Sequence, residues 1–198
     1  MRADLFHAKT AKQVAREVIF HSARINATDE QGDAPLHCAL RRHVGLEVIA
    51  EMVRLGARVN AVGQQFLTPL VLAVYVPDVR VMLHLLENGG LVDGKPQHPG
   101  ALQAAVIVNS FERVELLLAR GADANRIGFR STTPLFAARS EAMVRRLIQA
   151  GANPHHRNFD GQTAAEKWRD HGLVEAIEGL RPLPPSRPIL KAVGGPQD

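Results

Sequence analysis

Residues 132–163 read TTPLFAARSEAMVRRLIQAGANPHHRNFDGQT, and the beginning and the glycine-containing part of this stretch both recur elsewhere in the chain. The glycine marker returns about every 30 to 34 residues, as LGARVNA (55–61), NGGLVDG (88–94), RGADANR (120–126) and AGANPHH (150–156). A second marker keeps phase with it: DAPLHCAL from residue 33, LTPLVLAV from 67, GALQAAVI from 100, TTPLFAAR from 132 and QTAAEKWR from 162. Two markers that hold one spacing predict a repeat architecture, in which each unit covers the apolar face of its neighbour.

Each marker predicts a particular piece of local structure. The hydroxyl of Thr68 or Thr133 can accept a bond from a free amide at a helix start, and the proline that follows fits the first turn. The apolar spacing of VRVMLHLLENGG and ERVELLLARGAD is helical, and the next glycine suits a left-handed residue that ends a helix. These glycines are Gly56, Gly89, Gly121 and Gly151. A turn or short hairpin rich in Gly, Asn, Asp and Gln then leads to the next Thr-Pro.

This unit resembles the ankyrin repeat, whose hallmark is about 33 residues carrying T-P-L-H-x-A. The matching segments are APLHCAL (34–40), GADAN (121–125) and DGQTAAEKWRDHG (160–172). The resemblance implies an all-α, ankyrin-type solenoid of about six helix-turn-helix repeats with short β-hairpin loops. We expect one ankyrin repeat domain at 1–180, with repeats near 3–28, 29–62, 63–94, 95–127, 128–157 and 158–180, and a Pro-rich tail at 181–198.

Four repeats and the tail depart from the pattern. Repeat four has Gly100 and Ala101 in place of Thr-Pro, so we expect a softer helix start there. Repeat five lacks about three residues between its helices, as does the N-terminal repeat, and repeat two has one residue too many near 41–45. Prolines forbid a helix in the tail, whose PxxPxR order (182–187) is that of a ligand for proline-reading domains. The alternatives are a disordered end or an arm that covers the last repeat.

Composition narrows the functional classes. The chain has 198 residues, 45% hydrophobic residues and a net charge of +4, which predicts one soluble domain and supports nucleic-acid binding only weakly. No apolar run approaches the roughly 18 to 20 residues that span a bilayer, and the N-terminus lacks an apolar signal region. We therefore expect no nucleic-acid partner, no membrane anchor and a cytoplasmic location. Delivery as a secreted effector without a conventional signal is the alternative.

The sequence contains no pattern typical of catalysis or of a metal site. Adjacent His155 and His156 point to opposite sides of an extended loop, and no Cys lies nearby to complete a zinc site. His37 and Cys38 diverge by about 100° on a helix, so they cannot act as a base and its thiol nucleophile. The resemblance instead implies that His37 hydrogen-bonds the hairpin loop. GxxxxGK[ST], GxSxG and HExxH motifs are absent. We expect no enzyme activity, no cofactor and no metal.

The resemblance places the partner-binding residues on hairpin tips and at the ends of the first helices, which line a concave face. In this chain those positions are Glu30, Gln31, Asp33, Arg41, Arg42, Gln64, Gln65, Phe66, Tyr75, Gln97, Phe129, Arg130 and Phe159. Aromatic residues and Arg are enriched in binding hot spots, and the three phenylalanines lie in otherwise polar loops. For each phenylalanine and for the tyrosine, packing into a gap within the stack is the alternative.

These observations predict a non-catalytic protein–protein interaction module. We expect a protein partner with an acidic or mixed surface, bound by a monomer or a weak homodimer. An inhibitor, immunity-type or effector protein that binds and regulates one target enzyme is the alternative, since the fold by itself does not specify the partner.

Overall fold

The computed structural model describes residues 24–94 and 98–168 of the chain. Its α-helices are α1 (Pro35–Arg41), α2 (Leu46–Arg54), α3 (Pro69–Ala73), α4 (Val79–Glu87), α5 (Ala101–Ile107), α6 (Phe111–Ala119), α7 (Glu141–Gln149) and α8 (Ala164–Lys167). Short 3-10 segments lie at Gln64–Phe66, Phe129–Ser131 and Pro134–Ala137. Most of the predicted first repeat, the helix predicted near 173–180, the Pro-rich tail and Gln97 lie outside the described residues.

The two predicted threonine caps differ in outcome. Thr68 caps α3, because its Oγ1 accepts a bond of 3.4 Å from the Val71 N–H. The cap predicted for Thr133 is wrong: its hydroxyl is buried without a hydrogen-bond partner, and a 3-10 helix follows it. Repeat five lacks about three residues here, so its first helix is only the short Pro134–Ala137 segment, in which the Thr133 carbonyl accepts from Phe136 N–H at 3.0 Å.

The predicted glycine lies two residues after the last residue of each of the second helices α2, α4, α6 and α7. After α2, Gly56 has φ +91°, its N–H donates to Val53 O at 2.9 Å, and the Ala57 N–H donates to Met52 O at 2.9 Å. This is the Schellman arrangement, which satisfies carbonyls that would otherwise lack partners at a helix end. Positive φ values of 85–90° recur at Gly89, Gly121 and Gly151.

The helices stack in two rows. The first helices α1, α3 and α5, the Pro134–Ala137 segment and α8 follow one another in the first row, and α2 contacts α4 in the second. Trp168 fixes the last described helix, since its Nε1–H donates to Phe136 O at 3.0 Å. The largest fully buried side chains are Leu36, Leu40, Ile49, Met52, Leu70, Met82, Leu85, Leu102, Leu117, Leu135, Met143 and Leu147. No single repeat could bury these side chains alone.

A series of asparagines, which we call the asparagine ladder, links each repeat to the next at the turns that follow the second helices; each link is one joint of the ladder. Asn26, Asn60 and Asn125 each donate from Nδ2 to the carbonyl of a helix-ending glycine in the next repeat, at 2.8 Å. Their Oδ1 atoms accept from the backbone N–H two residues after that glycine, at 2.6–2.8 Å. Asp93 occupies the remaining ladder position, and its carboxylate accepts from Asp123 N–H at 3.2 Å.

The loops between repeats are tight turns. The turns at 29–33, 63–67, 128–132 and 158–162 are each closed by a bond from the N–H of the first residue to the carbonyl of the last. They were predicted as short β-hairpins, but the described residues contain no strand. Nor does the described part of the chain include a helix long and apolar enough to cross a membrane.

Candidate functional site

We call the turns that precede the first helices tips two (29–33), three (63–67), five (128–132) and six (158–162). Tips three and five share an unusual backbone. Each starts at a glycine and is closed by a bond of 2.9 or 2.8 Å from that residue's N–H to the carbonyl four residues on. In tip three, Gln65 and Phe66 have φ of 58° and 59°; in tip five, Arg130 and Ser131 have 55° and 57°. Two consecutive left-handed residues make a type I′ turn, for which Asn-Gly is the favoured pair. The larger side chains found here cost about 1 kcal/mol each.

Tips two and six are closed by the same backbone bond, from the first residue to the carbonyl four residues on, but without left-handed non-glycine residues. Asp29 and Asn158 each use a side-chain oxygen to accept from backbone N–H groups two and four residues on, at 2.9–3.0 Å. Their left-handed residues are glycines, Gly32 and Gly161. The four tips therefore present rigid, hydrogen-bonded turns, and only tips three and five carry backbone strain.

Three phenylalanines project from these tips. Phe66 is 63% exposed, Phe129 75% and Phe159 79%. The Phe66 ring packs on His98 of the next loop, with ring centroids 5.0 Å apart. Phe129 and Phe159 occupy the same position of consecutive tips, whereas Phe66 lies two positions later in its own tip. These exposures show that the rings of tips five and six do not plug gaps between hairpins.

Asp33 and Arg41, both predicted to bind a partner, are bonded within the chain. Asp33 is 4% exposed, with Oδ2 paired to Arg41 Nε at 2.9 Å and Oδ1 accepting from the Gln64 N–H at 2.7 Å. Gly63 permits this close approach, since a Cβ there would lie 2.2 Å from Asp33 Oδ1 and 2.7 Å from the ring of His37. The carboxylate therefore positions tip three relative to tip two.

Arg130 likewise joins two tips. Its guanidinium pairs with Asp160 at 2.6 Å, and its carbonyl oxygen accepts from the Phe159 N–H at 3.1 Å. From the other side, Gln103 of α5 donates to the Thr132 hydroxyl at 3.0 Å. Tip five is thus held by both neighbouring repeats.

The ends of the first helices present a second group of exposed side chains. Tyr75 is 46% exposed and Ile107 47%, and both occupy the position that Arg41 takes in α1. Val76, the next residue after the tyrosine, is buried. Of the remaining predicted contact residues, those described are exposed: Glu30, Gln31, Arg42, Gln64 and Gln65.

Two histidines, His37 and His156, form side-chain hydrogen bonds to the backbone of the loops. His37 is buried; its Nδ1 accepts from the Ala34 N–H at 3.2 Å and its Nε2 lies 3.1 Å from Ala61 O, so the neutral Nε2–H form fits both bonds. Burial lowers its pKa, against the opposing effect of Asp33. This confirms the loop-bonding role that the sequence predicted for His37. Its neighbour Cys38 has a thiol pKa that burial raises to about 11.

The adjacent His155 and His156 have different roles. His156 Nε2 lies 2.8 Å from Ser131 O in tip five, while the exposed His155 has its backbone N–H bonded to Asn153 Oδ1 at 2.9 Å. Residues 24–94 and 98–168 contain no group of three or more His, Cys, Asp or Glu placed to hold a metal ion.

Arg126 is only 9% exposed, and its structural importance was not predicted from the sequence. Its Nε donates to Asp93 O and its Nη1 donates to His98 O at 2.9 Å, so it holds the loop that precedes α5. The guanidinium fills the space above Gly100, where a Cβ would lie 3.2 Å from the arginine Cδ. Burial lowers the pKa of this arginine, with two aspartates opposing the shift. The available signal was the absence of a Thr-Pro pair at the start of α5.

Comparisons with known proteins agree with this architecture. A family model described as the ankyrin repeat matches residues 131–159. The B-cell lymphoma 3 protein homolog of Mus musculus is 26% identical over 178 residues, which cover 86% of this chain and 40% of that protein. A chain in the solved complex of a predatory endopeptidase from Bdellovibrio bacteriovorus with an immunity protein has the same fold, with a TM-score of 0.72 and 24% identity over 86% of this chain and 92% of that one. The repeated helix pairs, the glycine helix ends and the structural likeness together show an all-α solenoid fold of the ankyrin type, and the family match identifies an ankyrin repeat at residues 131–159.

Proposed function

We propose that this chain is a non-catalytic protein-binding module whose partner contacts the tips and the ends of the first helices. The observation that carries the proposal is the exposure of Phe129 and Phe159, at 75% and 79%, on tips that hydrogen bonds hold rigid. Large aromatic side chains gain free energy when they are buried, and little ordering entropy opposes binding when the loop is already fixed. Tyr75 and Ile107 extend the apolar contact area toward the first helices.

The charges near the tips favour a partner surface that is mixed rather than strongly acidic. Arg41 pairs with Asp33 and Arg130 with Asp160, so these guanidinium groups are balanced inside the chain. Breaking such a pair to bind an external carboxylate exchanges one ion pair for another and gains little. We expect apolar contacts to supply most of the affinity and the charged rim to set orientation.

The lack of catalytic chemistry is part of the proposal. His37 uses both ring nitrogens in bonds to the backbone and cannot act as a base for a neighbouring thiol. Because the Cys38 pKa is about 11, its reactive thiolate is scarce at neutral pH. An ankyrin repeat fold of this kind is typically a binding scaffold.

The experiment uses the full chain as bait in an extract of the cells that produce it. The bait variant Phe129→Ala/Phe159→Ala removes both tip aromatics, and Leu91→Ala is the matched control, since Leu91 is 58% exposed in a turn after α4. The wild type and the control should capture the same identified protein, and the double variant should bind it about 30-fold more weakly, as loss of a hot spot of about 2 kcal/mol predicts. Equal capture by all three baits, with unchanged helical circular dichroism, would exclude the aromatic side chains of tips five and six as the main binding contacts.

A second candidate function is inhibition of one target enzyme. It is favoured by the fold likeness to a chain of the endopeptidase and immunity-protein complex. An inhibitor should form a complex of defined stoichiometry on size-exclusion chromatography and reduce its target's activity in proportion to occupancy. A passive adaptor should leave that activity unchanged. Light scattering of the purified chain separates a monomer from a weak homodimer in either case.

A further inference from the structure

We propose that Arg130 is a positioning residue that joins tips five and six, so that Phe129 and Phe159 act together as one two-pronged anchor. The anchor fits a folded protein whose surface carries two uncharged apolar depressions. Adjacent repeats pack at the helix spacing of about 8–10 Å, which sets the separation expected between the depressions. This inference rests on the proposed function and specifies the partner chemistry of its binding surface.

The link between the two tips consists of a backbone bond and an ion pair. The Phe159 N–H donates to Arg130 O at 3.1 Å, and Arg130 Nη2 pairs with Asp160 Oδ1 at 2.6 Å. Each phenylalanine is therefore next in sequence to a residue of the link. Since both rings occupy equivalent positions in their tips, the link fixes their relative placement before a partner binds.

The backbone at Arg130 supports the same interpretation. Arg130 and Ser131 hold left-handed φ values of 55° and 57°, which non-glycine residues adopt only where the surroundings stabilise them. In tip five, stabilising bonds come from Gln103 on one side and from tip six on the other. A tip fixed in this way loses less conformational entropy on binding than a mobile loop does.

Charge balance around the two rings selects the partner chemistry. Arg130 is neutralised by Asp160, and Arg157, next to tip six, lies 3.1 Å from Glu166. Ile127, two residues before Phe129, adds a side chain that is 47% exposed. A projecting apolar surface whose charges are paired internally matches an uncharged concave surface, because a charged pocket would be desolvated without gaining a counter-ion.

The test introduces the photo-crosslinker p-benzoyl-phenylalanine at Phe129 or at Phe159 in the full chain inside the cells that produce it, with Leu91 as the control site. The anchor predicts that both tip positions crosslink to the same protein, that the attached peptides border apolar depressions of one surface, and that Leu91 gives no such adduct. Crosslinks at 129 and 159 to different proteins, or to a second copy of this chain, would overturn the proposal.

The ion pair is tested with Arg130→Asp, Asp160→Arg and the double exchange. Each single change places like charges together and should reduce the common adduct about tenfold, while the exchange should restore it to within about threefold. Unchanged adduct yield in both single variants would show that the link does not position the rings. If positions 129 and 159 fail to crosslink but the chain still captures a partner through tips two or three, this inference fails and the proposed function stands. If the chain captures no partner protein at all, both the inference and the proposed function fail.

Discussion

The aspartate in the asparagine ladder leads to a specific stability prediction. At the joints of Asn26, Asn60 and Asn125, one amide side chain donates to a glycine carbonyl and accepts from a backbone N–H. Asp93 accepts from the Asp123 N–H, but an ionised carboxylate has no hydrogen to donate to the corresponding Gly121 carbonyl. Replacing Asp93 by Asn should therefore complete the joint and stabilise the middle of the solenoid.

The expected gain is about 1 kcal/mol in the free energy of unfolding. One additional hydrogen bond contributes roughly 0.5–1.5 kcal/mol net, and removing a half-buried carboxylate next to Asp123 adds to it. The lost attraction to Arg126 opposes the gain. For a chain of this size, about 1 kcal/mol corresponds to a rise in Tm of about 2–4 °C.

The gain should depend on pH in a defined direction. Burial raises the pKa of Asp93, an effect that the bond from Asp123 N–H and the charge of Arg126 oppose and the charge of Asp123 reinforces. A folded-state pKa above the unfolded one means that the folded protein binds the proton more tightly, so ionisation of Asp93 destabilises the fold at neutral pH. That penalty disappears as pH falls through the raised pKa toward the ordinary value, and the advantage of Asp93→Asn over the wild type should shrink with it.

Urea unfolding followed by circular dichroism at pH 7 and at about pH 4.5 measures both effects through the midpoint at constant m-value. Asn60→Asp is the matched control, because it removes the donor to Gly89 O from an intact joint and should cost about 1 kcal/mol at pH 7. The prediction would be refuted if Asp93→Asn is neutral or destabilising at pH 7 while Asn60→Asp is destabilising. That result would show that the ionic attraction to Arg126 exceeds the value of the missing bond.

Three further predictions concern the tips and the first helices. Burial lowers the pKa of His37 below its ordinary 6.5, so the folded state binds a proton on this ring less tightly than the unfolded state does. The free energy of unfolding should therefore decrease as pH drops through about 6.5. A ring pKa at or above 6.5, measured by NMR titration, would contradict this. Gly63→Ala should lower the free energy of unfolding, measured by thermal unfolding, by about 1–3 kcal/mol, because the new Cβ would lie 2.2 Å from a buried carboxylate oxygen. The control Gly45→Ala should lower it by less than about 1 kcal/mol, because its Cβ would contact only the flexible end of a glutamate, at 3.3 Å. Ser131→Gly should stabilise the fold by about 0.5–1 kcal/mol, because glycine adopts the left-handed φ of this position without strain, while Ser131→Ala should not stabilise it. Equal urea unfolding midpoints for the two variants would argue against backbone strain in tip five.

Much of the fold could be predicted from the sequence because its signals are local. A glycine that ends a helix and a Thr-Pro pair that begins one act within about four residues, so the repeat period and the helix pairs are readable from the chain alone. The bonding role of His37 followed from its place in the repeat motif. The Thr133 cap failed because the shorter first helix of repeat five changes the backbone that the hydroxyl would have capped. The repeat count and domain boundaries stay predictions.

The candidate site was only partly predictable, because exposure and pairing depend on contacts between repeats. The sequence selected Asp33, Arg130 and Phe129 alike as contact residues, yet the structure buries the first, pairs the second and leaves the third 75% exposed. Whether these residues bind a partner stays a prediction.

By itself, the sequence determined the repeat period, the helical class and the positions of the turns, since each depends on residue preferences within a few neighbours. Only the tertiary structure decided which side chains bridge tips about 30 residues apart, that Arg126 holds the loop before α5, and that Asp93 leaves one ladder joint without a donor. These outcomes depend on the register with which one repeat packs on the next. That register is fixed by the shape of the buried faces as a whole, so no local segment of the chain specifies it.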